Sequence, residues 1–247
     1  MKKIVNWQVV LGFILIELSV IVFLVHYAIF RDAHHIFIYL LGDIGFVFIE
    51  VLMVTLIIHN LLNYREKLSM FKKLNMVIGA FFSEVGTELL KKIVPLDNCA
   101  DCNREKLLVG ENWSKKDFEE TYKNFHEQKY SLDINKADLS VIKKILVQKR
   151  SFLLNLLENP NLLEHESFTD LLWAVFHLTE ELEYRENLNK LTDKDKIHLC
   201  GDIKRAYKLL LLQWLSHIQH LKQDYPYLFS LARRTNPFDL HACVEIK

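Results

Sequence analysis

Two long apolar runs separated by five polar-rich residues fill the first sixty-odd positions, and they restrict the fold more than any other feature. From Ile4 to Phe30 only Asn6, Gln8, Gly12, Glu17, Ser19 and His26 interrupt the apolar sequence. From Ile36 to Ile58 the interruptions are Gly42, Asp43, Gly45, Glu50 and Thr55. Each run exceeds the roughly 20 residues a helix needs to cross about 30 Å of hydrocarbon. We read two membrane spans, at residues 4–30 and 36–59. A cleaved signal peptide fits the first run poorly, because it is too long, carries an acid in its middle and lacks a small-residue cleavage site.

The connection Arg31-Asp-Ala-His-His35 is short, so the spans are expected to be antiparallel neighbours. Lys2, Lys3, Arg65, Lys67, Lys72 and Lys73 then fall on one side of the bilayer and Arg31 on the other. The positive-inside rule places both termini in the cytoplasm of a multi-pass cell-membrane protein. Trp7, Tyr27 and Tyr39 stand where interfacial aromatic anchors are expected.

Carboxylates inside the spans carry the sharpest functional argument. Glu17 lies near the middle of the first span, and Asp43 and Glu50 flank the middle of the second. An acid at that depth costs about 2.5–3.5 kcal/mol on insertion scales unless water, a cation or a hydrogen-bond partner meets it. Asp43 and Glu50 are two helical turns apart and share one face. Two helices have too little surface to hide three carboxylates, so a homo-oligomer with the acidic stripe turned inward is expected. Gly12, Ser19, Gly42 and Gly45 offer small surfaces for close helix approach.

An inward ring of acids concentrates cations and replaces part of their hydration shell. The expectation is therefore a cation channel or ion-permeation unit, with His26, His34 and His35 as a pH-sensitive outer mouth. The competing reading makes the acids protonated hydrogen-bond donors that only hold helices together, in a membrane-anchored scaffold whose soluble part binds another protein.

The remaining 184 positions carry 28 basic and 27 acidic side chains. A balance so close to neutral leaves no electrostatic footprint for nucleic acid. Residues 64–247 read as one all-helical cytoplasmic domain, giving an all-α chain with a transmembrane hairpin at 1–63. Apolar spacings of three and four at Leu68, Phe71, Leu74, Ile78, Phe81, Val85 and Leu89 predict that the second span continues as one long helix, with Gly79 and Gly86 as weak points. Further helices are expected over 114–128, 137–158, 167–190 and 193–225, and a short one before Pro237. No strand alternation or internal repeat is present.

Two sets of side chains suggest metal chemistry. Cys99 and Cys102 form a Cys-x-x-Cys pair, which is half of a zinc signature. Cys200 and Cys243 complete the four cysteines, too scattered for a disulfide framework and expected to be reduced. His177 and Glu181 are four residues apart, and His217, His220 and Asp224 recur at three and four, so each set shares a helix face. Helical bundles assemble metal sites from such faces, and a metal-dependent enzyme is the third functional class. Phosphate-binding loops, dinucleotide fingerprints, nucleophile elbows and His-Glu-x-x-His are absent, and the sequence names no cofactor.

Overall fold

The computed structural model of the chain describes residues 7–159, 162 and 165–245. Lys2 and Lys3, on which the topology argument leans, lie outside the described residues, as do the start of the first predicted span and Pro160. The described residues are overwhelmingly helical and form no strand, with one isolated antiparallel bridge between Asp97 and Leu132. The all-helical expectation therefore holds.

By contacts the chain divides into two compact units, Met1–Lys67 and Leu68–Lys247. In the first, α1 runs Trp7–Phe30 and α2 begins at Ala33 and ends at Phe81, so α2 passes position 67 as one unbroken helix. The connection is shorter than the sequence suggests, since only Arg31 and Asp32 lie outside helices. Arg31 adopts a left-handed φ of 50° and its N–H donates to the Tyr27 carbonyl at 2.9 Å, which ends α1. Asp32 Oδ1 accepts from the His35 N–H at 3.1 Å, which caps the start of α2.

Both helices are long and apolar enough to cross a membrane. A buried core helix of a soluble protein passes the same test, but here the apolar side chains are exposed. Among the described side chains none from Trp7 to Lys73 is buried, and the first buried one is Leu74. Exposed apolar surfaces this large are characteristic of regions that interact with membranes or other proteins.

In the second unit, α2 ends at Phe81 in a π-helical turn, Phe82–Gly86, followed by α3 (Thr87–Ile93). The predicted weak point at Gly86 thus falls on a change of helix type. Then come α4 (Ala100–Lys106), α5 (Lys115–Glu127), α6 (Leu139–Gln148), α7 (Arg150–Leu157), α8 (Glu166–Glu183), α9 (Asp193–Asp224) and α10 (Pro226–Arg234). Where the spacing predicts one helix over 137–158, the structure has two, broken at Lys149. Lys149 leaves helical geometry and places its ammonium 2.6 Å from Glu84, while Ile142 and Leu146 before it and Leu153 and Leu156 after it remain buried. No proline or glycine marks that break. The helix predicted over 167–190 ends at Glu183, and its remainder is an irregular stretch with a short 3-10 turn, Leu188–Lys190.

Local chemistry explains several helix ends. Ser114 caps α5 with a reciprocal box: its hydroxyl accepts from the Asp117 N–H, and Asp117 Oδ2 accepts from the Ser114 N–H at 2.6 Å. Thr192 accepts from the Asp195 N–H at the start of α9. Helix α9 is the axis of the unit, with α3, α5, α8 and α10 packed against it. Phe81, Phe82 and Phe168 meet edge-to-face near the end of α2 with ring centroids 5.3–5.5 Å apart, each burying roughly 2–3 kcal/mol of apolar surface. One buried acid ties a loop to the axis. Asp97 accepts from Asn103 Nδ2 at 2.7 Å, the Cys99 N–H at 3.0 Å and the Tyr207 hydroxyl at 3.3 Å.

A methyl group at Gly86 would stand 2.6 Å from Phe82 and 2.8 Å from Phe81, both buried core aromatics, whereas Gly201 has open space around it. Overpacking of about 1–3 kcal/mol outweighs a helix-propensity gain of about 1 kcal/mol at the first position only. Gly86→Ala is therefore expected to destabilise the protein, and Gly201→Ala to stabilise it by about 0.5–1 kcal/mol. Denaturant unfolding of the purified chain checks this, and the reverse order would contradict the packing described.

Candidate functional site

Helices α8 and α9 form the most extensively packed pair among the described elements. Phe168, Leu172, Val175 and Leu182 of α8 and Leu199, Ile203, Ala206 and Leu210 of α9 are buried in the core. Where this apolar seam reaches the surface, each helix presents a histidine and an acid four residues apart. From α8 these are His177 and Glu181, and from α9 they are His198 and Asp202. His198 Nε2 lies 3.3 Å from Asp202 Oδ2 and 3.4 Å from Glu181 Oε2. His177 Nε2 lies 3.7 Å from the same Asp202 oxygen and 4.0 Å from Glu181 Oε1.

Burial within the cluster is uneven. Both histidines are open to solvent, while the Asp202 side chain is only 5% exposed. The two Asp202 oxygens have different surroundings. Oδ1 accepts from Arg205 at 3.4 Å, whereas Oδ2 is buried and has no hydrogen-bond partner. Glu181 is held by Arg185, whose guanidinium donates to Oε2 at 2.6 Å and reaches on to Asp195 at 3.5 Å. That hydrogen bond is the main cause that keeps the Glu181 carboxyl below the usual range. Of this quartet the sequence singled out His177 and Glu181, and missed His198 and Asp202. The signal was present as the same four-residue interval on the next long helix.

The other predicted residues are distributed differently. His217, His220 and Asp224 do not form one ligand set. His217 is buried and stacks on Phe82 with centroids 5.3 Å apart, while His220 Nδ1 pairs with Asp224 Oδ2 at 2.8 Å and with Asn75 at 3.4 Å. Both histidines line an apolar cavity of about 500 Å³ with Met76, Phe82, Trp214 and Leu228. Cys99 and Cys102 are free, exposed thiols, and among the described residues no further donor joins them into a metal-binding group. Cys200 points its thiol at the Leu132 carbonyl, 3.5 Å away, and Cys243 is exposed.

In the N-terminal unit Glu17, Asp43 and Glu50 are all exposed, and among the described residues none has a hydrogen bond or ion pair within the chain. His26 and His35 stack with centroids 6.5 Å apart and His35 packs on Tyr39, while His34 is exposed.

These arrangements belong to a recognisable lineage. Residues 70–234 match the family model described as Uncharacterized protein MJ1433, C-terminal helical domain, and residues 2–62 match the MJ1433 N-terminal helical domain. The chain belongs to the MJ1433 family. Uncharacterized protein MJ1433 of Methanocaldococcus jannaschii is 48% identical to it over 234 residues, which cover 95% of this chain and 94% of the relative. No solved structure matches the chain.

Burial, with a smaller contribution from His220, lowers the pKa of His217 from 6.5 to about 4. The unfolded chain therefore takes up this proton more readily than the folded one. His217 contributes its full stability above pH 6.5 and loses it as pH falls toward 4, a span worth about 3 kcal/mol. His217→Phe keeps a ring against Phe82 and is expected to flatten the stability profile across that window. Denaturant midpoints measured at several pH values check this, and an unchanged acid slope would contradict it.

Proposed function

We propose that the chain is a homo-oligomeric integral membrane protein in which the first two helices form a transmembrane hairpin. Glu17, Asp43 and Glu50 line a path for cations, and the helical unit serves as a cytoplasmic sensing or gating domain. The observation that carries this reading is the isolation of the three carboxylates. They sit on helices whose apolar side chains are exposed, with no partner in their own chain. Ionised groups in that setting require screening from outside the chain, either from neighbouring copies or from ions. The seven-residue interval between Asp43 and Glu50 puts both on one face of α2, so one rotation of the helix presents both to a shared axis.

His26 and His35 support a role for the connecting turn. They stack beside Tyr39, close in sequence to Asp32 and Arg31, at one end of the proposed path. A lipid bilayer and further copies of the chain are thus the partners this reading requires. The helical unit is left to bind a regulator or another protein.

Chain purified in mild detergent is expected to run as a discrete oligomer and, in liposomes, to pass monovalent or divalent cations. Glu50→Gln and Asp43→Asn should change flux by about tenfold or alter ion selectivity, since each removes a charge from the path. A monomer in detergent, or liposomes that stay tight under every pH and voltage tried, would remove the permeation reading. A specific protein captured by residues 64–247, together with normal function on a foreign two-helix anchor, would favour a scaffold.

A further inference from the structure

The geometry points to a binding site for a divalent first-row transition ion, Zn²⁺ above all, formed by His177, His198 and Asp202 at the α8–α9 seam, with Glu181 beside the fourth position. A tetrahedral zinc with bonds of about 2.0–2.1 Å to nitrogen and oxygen separates its ligands by about 3.3–3.5 Å. The His198–Asp202 and His198–Glu181 separations, 3.3 and 3.4 Å, have that length. The His177–Asp202 separation, 3.7 Å, exceeds it slightly, and the three primary ligand atoms all lie within 4.8 Å of one another.

A buried carboxylate oxygen without a hydrogen bond separates this arrangement from a surface ion-pair network. Asp202 Oδ2 lies 3.3 and 3.7 Å from two imidazole nitrogens yet forms a hydrogen bond with neither. The His198 contact is within hydrogen-bond distance but is not a hydrogen bond, and the His177 contact lies beyond that distance, so this oxygen and both ring nitrogens are left as metal donors. A buried carboxylate oxygen without a partner is costly, and a cation held by these donors removes the cost. Arg205 occupies the other oxygen of Asp202, and so fixes which one faces the histidines. Two imidazoles and a carboxylate suit zinc and its neighbours better than calcium or magnesium, which prefer all-oxygen shells.

The two helices supply two protein donors from α9 and one from α8, so the ion would join them on the surface edge of their apolar seam. This site is independent of the permeation reading. Retained Zn²⁺ binding with no cation flux removes only that reading, and flux without Zn²⁺ binding removes only this one.

The full-length chain, purified in mild detergent, stripped with chelator and dialysed, is titrated with ZnCl₂ and, as an optical probe, with Co²⁺. One Zn²⁺ per chain is expected, with the intense visible absorption of tetrahedral Co²⁺ and a rise in melting temperature on adding zinc. His177→Ala and His198→Ala each remove an exposed ring and should weaken binding at least about tenfold while leaving the metal-free melting temperature unchanged. Cys99→Ser with Cys102→Ser should leave binding intact. Asp202→Asn repeats the test at the buried ligand, and if it fails to fold the two histidine variants still decide. Absence of stoichiometric zinc, zinc lost with the cysteines but retained by both histidine variants, or a melting temperature insensitive to zinc would each overturn the proposal.

Discussion

Burial of the α9 helix is the constraint on which the helical unit depends. A helix of 32 residues gains little from propensity alone in water, and its stability comes from the apolar surfaces pressed against it. Leu199, Ile203, Ala206, Leu210, Leu211, Trp214 and Ile218 are all buried along it, and α3, α5, α8 and α10 find their places by covering that surface. Lys222 then fastens the segment preceding α5 to the end of the axis, donating to the carbonyls of Glu111 and Trp113 at 2.6 and 2.5 Å. The seam with α8 is where apolar packing stops and polar chemistry begins, and that edge holds the histidine and carboxylate cluster.

Carboxylates show how differently one chemical group is accommodated in this chain. Asp117 and Asp32 sit at helix starts, where free backbone N–H groups and the helix dipole favour a negative charge. Asp97 is buried and hydrogen-bonded on both oxygens. Asp202 is buried with one oxygen satisfied and the other not. Glu17, Asp43 and Glu50 have neither burial nor partner within the chain. The last two situations are those in which a carboxylate oxygen has no hydrogen bond from its own chain among the described residues, and the two proposals above start from them.

What could be read from the residues follows the range of the interaction that fixes each feature. Ser114 and Asp117 announce α5 because a capping box is complete within four positions. The helical spacing from Leu68 to Phe81 announces the continuity of α2 because the repeat is local. The break at Lys149 was not legible, since no proline, glycine or capping side chain marks it in the sequence. His177 and Glu181 were visible as a pair, but their convergence with His198 and Asp202 depends on how α8 and α9 align, and no short interval encodes that alignment. His217 was visible as a helical histidine. Its burial against Phe82, which separates it from His220 and Asp224, depends on where the π-helical turn falls.

The Asp97 carboxylate has an effect on how the unit opens. Its oxygens hold the backbone of the Cys99 turn, the amide of Asn103 and the hydroxyl of Tyr207 at once, and Asn103 in turn accepts from Gln128 at the end of α5. Water that reaches this carboxylate competes for all three donors together. The turn at Cys99, the start of α4, the end of α5 and the middle of the long axis are thus tied to one buried group, and the network couples segments far apart in sequence.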